Sequence, residues 1–238
     1  MHDHRTPLFH LAKRTEISKR RAWTVRLLAF VAAILIGGFI FLILGHNPIT
    51  AYGTIISGSL GKKTALRQTI RIAIPLLGTA LAIAPCFKMR FWNIGAEGQI
   101  TAGAIGAAFF ALHFSDKLPS PALLIVMGIA GALCGAIWAL IPAVFHAKWG
   151  TNETLFTLMM NYIVIGIVKW LQGGPWEGKP GSQIIPTFKQ AAVLPKVFGI
   201  HIGWIMVLLL TVFMYVYMKF SKHGYEIAVI GESRNTAR

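Results

Sequence analysis

The sequence predicts an all-α membrane protein, a polytopic bundle of about six transmembrane helices with both termini in the cytoplasm. Three observations predict it. Apolar residues make up 55 % of the 238 residues and charged residues only 13 %, whereas a soluble domain carries about 25 % charge. Apolar runs recur at lengths near the ~20 residues that span a hydrocarbon core at 1.5 Å per residue. The formal net charge of +15 falls mostly outside these runs, where it sets orientation and meets headgroups. This balance excludes a soluble enzyme. It also excludes a disordered nucleic-acid-binding tail, which would be poor in apolar residues. The expected partner is the lipid bilayer, with no nucleic acid.

Residues 1–24 form a basic tail with Arg5, Lys13, Arg14, Lys19, Arg20 and Arg21. A first span is predicted over 25–44. It is long for the apolar core of a signal peptide and ends without a small-residue cleavage site, so it is read as uncleaved, with the basic flank inside. Residues 46–65 contain Asn47-Pro48, three glycines and Lys62-Lys63. They read as a polar connector with a short interfacial helix. The second span, 68–85, is interrupted by Arg71, which can snorkel to the headgroups, and by Pro75, which should bend it. A basic turn at Lys88 and Arg90 leads to a third span over 93–113, rich in Gly and Ala and suited to close packing. The fourth, 122–145, contains Gly131-x-x-x-Gly135, a weak helix-contact pattern when alone. The fifth covers 154–171, with Thr151 or Asn152 able to cap it and Glu153 in its first turn. A long connector, 172–200, rich in Gly and Pro, precedes the sixth span, 201–220. The cytoplasmic segments are then 1–25, 86–92, 146–153 and 220–238. Lys62, Lys63 and Arg67 dissent from that orientation, while the tail and both inner turns agree with it. Cys86 and Cys134 lack metal-like spacing and read as inert thiols.

Two groups of polar residues stand out. Glu97 begins an apolar helix beside Asn93 and Gln99. It is read either as a helix-start carboxylate held by free backbone N–H groups, with Asn93 as the cap, or as a residue of a solute path. Asn152 and Glu153 open the next polar group. Glu153, Thr157 and Asn161 are spaced four apart, which makes one polar stripe on an apolar helix. Such a stripe faces other helices or a cavity, so structural contact and path lining both remain open. Lys169 and Trp170 read as interface anchors, and Trp176 and Glu177 on the outer connector as a contact for an external partner. Neither a nucleotide-binding loop nor a zinc-protease motif occurs, and the eight His are scattered. The chain is therefore read as a non-enzyme, with no cofactor and no metal.

Residues 91–99 (FWNIGAEGQ) resemble the F-N-I-G-x-E-G-Q signature of bacterial ABC-transporter permeases of the branched-chain amino acid and simple-sugar superfamily. The likeness is greatest to the nucleoside and simple-sugar permeases that work with basic membrane lipoproteins. Residues 151–162 (TNETLFTLMMNY) are similar to a second segment of that family, and 224–238 to a third, the G-x-x-x-R-A-V-G-x-N-x-x-A-A region. The chain departs from the third pattern at Ile227-Ala228 and at Glu232-Ser233.

The resemblance implies a multi-pass subunit of a bacterial inner or plasma membrane, belonging to an ATP-driven importer of nucleosides or simple sugars. Its implied partners are a second related permease subunit, two cytoplasmic ABC ATPase subunits and an extracytoplasmic solute-binding lipoprotein. It implies that 221–238 begins a cytoplasmic coupling segment, incomplete here, with Gly224, Glu226, Gly231, Arg234 and Asn235 as its contact residues. Family members usually continue with further spans. A truncated, transport-incompetent remnant or a split-permease fragment is therefore the main rival, and an unrelated channel the second. The 238-residue chain by itself is expected to insert but not to support uptake.

Overall fold

A computed structural model describes residues 18–232; Arg234 and Asn235, named above, lie outside the described residues. The chain forms two compact units that part between Leu66 and Arg67.

In the first unit, α1 (Lys19–Ile43) begins where Ser18 accepts a hydrogen bond from the Arg21 N–H at 3.4 Å. The connector after it is largely helical. Asn47 caps α2 (Pro48–Leu60) by accepting from the Ile49 N–H at 2.9 Å, and Pro48 stands where a missing N–H does no harm. Tyr52 of α2 donates its hydroxyl to the Ile34 carbonyl at 2.7 Å. Gly37 makes that approach possible, since a Cβ there would lie 2.6 Å from the Tyr52 oxygen.

α3 (Lys63–Lys88) carries the chain into the second unit, with Pro75 and Pro85 inside it. Then follow α4 (Ala96–His113), α5 (Ser120–Trp149) and α6 (Glu153–Gln172). Gly150, in the left-handed region at φ 64°, ends α5. α4 and α5 are the most intimate pair, and small residues are the reason. A Cβ on Gly103 would lie 2.8 Å from the Gly131 carbonyl oxygen, and one on Gly135 3.1 Å from that of Gln99. Position 99 thus faces 135 and 103 faces 131, so the two helices are antiparallel. At Gly106 a Cβ would meet both side chain and backbone of α5, 2.6 Å from the Cys134 sulfur and 2.9 Å from the Ala130 carbonyl oxygen. Gly106→Val should therefore destabilise the chain by about 1–3 kcal/mol through overpacking, which thermal unfolding in detergent would register. Gly128→Val, where a Cβ meets nothing within 4 Å, should not.

The connector after α6 is more ordered than expected. It contains a 3-10 turn (Gln190–Ala192) and a two-stranded antiparallel hairpin, β1 (Lys196–Val197) with β2 (Ile200–His201). Ala192 packs with Ala111 and Leu123, flanked by Phe110, Phe114 and Leu118. Ser120 donates to the Ala191 carbonyl at 2.8 Å, and Lys189 pairs with Asp116. The connector is thereby folded over the α4–α5 turn. Trp176 is buried in it, and the Glu177 carboxylate accepts from the Gln183 N–H at 2.8 Å. Trp176, expected to meet an external partner, is instead part of the connector's own packing.

α7 (Gly203–Phe220) starts beyond the hairpin and is followed at a corner by α8 (Lys222–Glu232). Ser221 makes the corner: its hydroxyl accepts from the Gly224 N–H at 3.0 Å.

Among the described residues five helices (α1, α3, α5, α6 and α7) are long and apolar enough to cross a membrane. The exposure of apolar side chains along them, such as Ile125, Ile129, Leu133, Ile137 and Leu140 on α5, suits a lipid-facing bundle rather than a water-soluble one. The protein is a multi-pass, all-α membrane protein. α4 is not among those five: its eighteen residues include Glu97, Gln99 and His113.

Candidate functional site

The two segments singled out in the sequence, 91–99 and 151–162, are packed against each other. The turn after α3 passes Arg90 in the left-handed region (φ 59°) and enters α4 through Asn93, Ile94 and Gly95. Gly95, not Asn93, is the N-cap residue. It offers no side chain, so the first turn of α4 cannot be capped locally. The cap comes from α6. Asn161 accepts from the Gly98 N–H at 2.9 Å and donates to the Ile94 carbonyl at 3.1 Å. One turn earlier, Thr157 accepts from the Ile94 N–H at 3.2 Å while donating to the Glu153 carbonyl at 2.7 Å. Thr157 and Asn161 are both buried. The residues alternate small and polar for a steric reason: a Cβ at Gly95 would be 2.8 Å from that of Thr157, and one at Gly98 2.5 Å from Asn161 Oδ1.

Asn93 has a different role from the expected cap. Its Oδ1 accepts from the Gly95 N–H at 2.8 Å, and its amide pairs with that of Gln99, at 3.2 Å and 3.3 Å. Gln99 then borders an open cleft of about 400 Å³ between α3, α4 and α5. Thr79, Ile83, Ala96, Ile100 and Ala136 line it with small glycine and alanine positions between them. No charged side chain lines this cleft; Gln99 and Thr79 are its polar side chains. Thr79, Ile83 and Ala136 were not anticipated from the sequence. Nothing in the sequence set them apart from the rest of their apolar helices, where packing alone explains such residues.

The remaining candidates separate. Asn152 is exposed and caps α6, accepting from the Leu155 N–H at 3.0 Å. Glu153, the top of the polar stripe, turns toward His146: its carboxylate lies 3.2 Å from Nδ1, which also sits 2.8 Å from the Thr151 carbonyl. The His146 ring stands edge-on to Phe91, centroids 5.4 Å apart. Glu97 is exposed, and among the described residues its carboxylate makes no hydrogen bond or ion pair. Glu97→Gln should then change stability by less than about 0.5 kcal/mol, whatever it does to transport; a larger loss of thermal stability in detergent would show a partner for the carboxylate within this chain.

At the same end of the helices, α8 rests on the turn that leads into this site. A Cβ on Gly231 would stand 2.0 Å from the Lys88 carbonyl oxygen, so glycine alone fits. Gly224 is buried at the α7–α8 corner, against the Tyr217 and Met218 carbonyls. Glu226 is exposed, 3.8 Å from Lys222. Among the described residues no group of three or more His, Cys, Asp or Glu could hold a metal ion.

Residues 65–238 match a family described as the branched-chain amino acid transport system permease component. A glucose ABC transporter permease of Haloferax volcanii is 31 % identical over 91 % of this chain and 60 % of its own length. A nucleoside ABC transporter permease of Lactococcus lactis is 36 % identical over 62 % of this chain and 40 % of its own. A guanosine ABC transporter permease of Bacillus subtilis is 26 % identical over 90 % and 63 %. The chain thus spans about 40–63 % of the length of these relatives. No solved structure matches.

Proposed function

Because the chain belongs to the family of branched-chain amino acid transport system permease components, we propose that it is a membrane-spanning subunit of an ATP-driven importer, and that its solute is a nucleoside or a simple sugar. A permease transports and is not an enzyme. The observation that carries the solute class is the uncharged, mostly apolar cleft between α3, α4 and α5, whose polar side chains are Gln99 and Thr79. A zwitterionic amino acid would need partners for both charges in a medium where an unpaired charge is expensive. A neutral, hydroxyl-bearing solute needs only amide and hydroxyl partners. The names of the glucose, nucleoside and guanosine relatives support the same class.

Six spans fit the helix directions better than five. Gly203 of α7 lies near Ile74 of α3, and Gly78 near Val207, so α3 and α7 run the same way. Parallel helices are separated by an odd number of crossings, which supports reading α4 as a span alongside α5 and α6. Eighteen residues at 1.5 Å per residue reach about 27 Å, enough with modest thinning or flanking polar groups. The basic tail supports a cytoplasmic N-terminus. Six crossings then return 221–238 to the cytoplasm. The membrane is that of a prokaryotic cell, the relatives coming from an archaeon as well as bacteria.

Within that frame Asn93, Gln99, Thr157 and Asn161 hold the wall of the solute path, and Glu97, Asn152 and Glu153 lie at its cytoplasmic end. α8, with Gly224, Glu226 and Gly231, begins the surface for an ABC ATPase, continued by Arg234 and Asn235. A second permease subunit and a solute-binding lipoprotein complete the importer. The test is uptake by cells carrying the ATPase, the second permease, the lipoprotein and the full-length gene product. Labelled nucleoside or sugar should accumulate, and Gln99→Leu should abolish this without loss of membrane insertion. Leucine uptake would overturn the solute class, and insertion without any uptake would favour a transport-incompetent chain.

A further inference from the structure

The tip of the β1–β2 hairpin breaks two rules at once. Its two loop residues, Phe198 and Gly199, both lie in the left-handed region, at φ 57° and 82°. A two-residue hairpin turn of this kind favours Asn-Gly, because a bulky side chain is strained there. The position nevertheless holds phenylalanine, and Phe198 is 82 % exposed. Its aromatic neighbour is Trp204, at a centroid distance of 6.4 Å. Neither burial nor turn geometry accounts for the residue, so its role lies with something outside the chain.

The surroundings say what that is. The hairpin ends at His201, and α7 opens two residues later at Gly203. Gly199 sits beneath the guanidinium of Arg67, near the start of α3: a Cβ there would be 2.8 Å from the Arg67 Cζ. The tip therefore stands level with the ends of two helices long and apolar enough to cross a membrane. Lys196 is exposed on the same hairpin. No Asp or Glu occurs in 63–88 or in 190–220, so the charge here is of one sign.

We propose that the 196–201 hairpin is a lipid anchor, with Phe198 inserted at the boundary of headgroups and acyl chains and with Lys196 and Arg67 meeting anionic phospholipid headgroups. Aromatic rings settle at that boundary, and basic residues gain from anionic lipid. The inference rests on the helices spanning a bilayer and not on the solute or on which side is cytoplasmic.

The test uses the whole chain in nanodiscs of phosphatidylcholine, with and without phosphatidylglycerol. Phe198→Cys, in a Cys86→Ala/Cys134→Ala background, carries a nitrobenzoxadiazole label; Lys179→Cys, on the exposed part of the connector, is the comparison. The label at 198 should be quenched by brominated acyl chains and shielded from iodide, and the label at 179 the reverse. Shielding should strengthen with phosphatidylglycerol, and Lys196→Gln and Arg67→Gln should each weaken that gain about five-fold. Because the label brings its own apolarity, hydrogen exchange of the unlabelled protein provides a second readout. Phe198→Asn suits the turn better, so a purely structural role predicts slower exchange over 196–201. An anchor predicts faster exchange in nanodiscs. Iodide access at 198 equal to that at 179, slower exchange in Phe198→Asn, or no response to phosphatidylglycerol would overturn the proposal. So would shielding that appears only when the solute-binding lipoprotein is added, which would assign the tip to a protein partner.

Discussion

Asn161→Leu should destabilise the protein by about 2 kcal/mol, because the leucine fills the space but abandons two backbone groups, the buried Gly98 N–H and the half-buried Ile94 carbonyl. In the native chain one amide satisfies both the Gly98 N–H at 2.9 Å and the Ile94 carbonyl at 3.1 Å. These belong to the opening of α4, where Gly95 supplies no cap of its own. Hydrogen bonds between helices in a membrane are worth less than vacuum reasoning suggests, about 0.6 kcal/mol on average, since the unfolded helices find other partners. Two bonds to orphaned groups at a helix start are at the upper end, about 1 kcal/mol each. Thermal unfolding in detergent measures the loss. Should Asn161→Leu prove as stable as wild type, the interlock of α4 with α6 contributes nothing and the path-wall reading of Thr157 and Asn161 loses its structural basis.

Gly231→Leu should release α8 while leaving the spans in place. The Cβ alone would be 2.0 Å from the Lys88 carbonyl oxygen and 3.1 Å from its carbon. Backbone cannot move aside as a flexible side-chain tip can, so α8 must shift as a whole. Overpacking of this kind costs about 1–3 kcal/mol. An eleven-residue helix is marginal once its packing goes, and the half-buried Ile227, Ala228, Val229 and Ile230 would become exposed. Hydrogen exchange over Tyr225–Ile230 should rise sharply with little change elsewhere, and uptake should be lost. Glu226→Ala separates docking from coupling. Its pair with Lys222, 3.8 Å apart on the surface, is worth well under about 1 kcal/mol. If α8 begins the ATPase surface, this variant keeps native exchange and loses ATPase association. Unchanged exchange in Gly231→Leu would mean that α8 is not held at the Lys88 turn.

The membrane character and nearly all the long helices were legible in the sequence. A short helix within 46–65 was expected and is found as Pro48–Leu60, and the small residues of α4 and α5 were expected to allow close packing, though not which helix would meet which. The polar stripe Glu153–Thr157–Asn161 was visible as a spacing. Its division was not: Thr157 and Asn161 serve α4, while Glu153 turns to His146. Glu97 drew attention because a lone acid in an apolar run is costly if buried, and the structure leaves it exposed. Trp176 was taken for an outward contact because nothing in a Gly- and Pro-rich connector indicates that it folds on itself; the packing of Ala192 on Ala111 and Leu123 is what folds it.

The sequence by itself determined that this chain crosses a bilayer as helices, since apolar length and the need to satisfy every backbone group within the hydrocarbon leave a single-chain helix as the simplest solution. It also determined which polar residues those helices carry. Only the tertiary structure decided which of them meet: Asn161 and Gly98 are 63 residues apart, and Gly231 reaches Lys88 from the far end of the chain. Helical periodicity is a property of neighbours a few residues apart and fixes a face. The partner of that face depends on how distant helices pack, and there the smallness of a glycine and the reach of an amide make the choice.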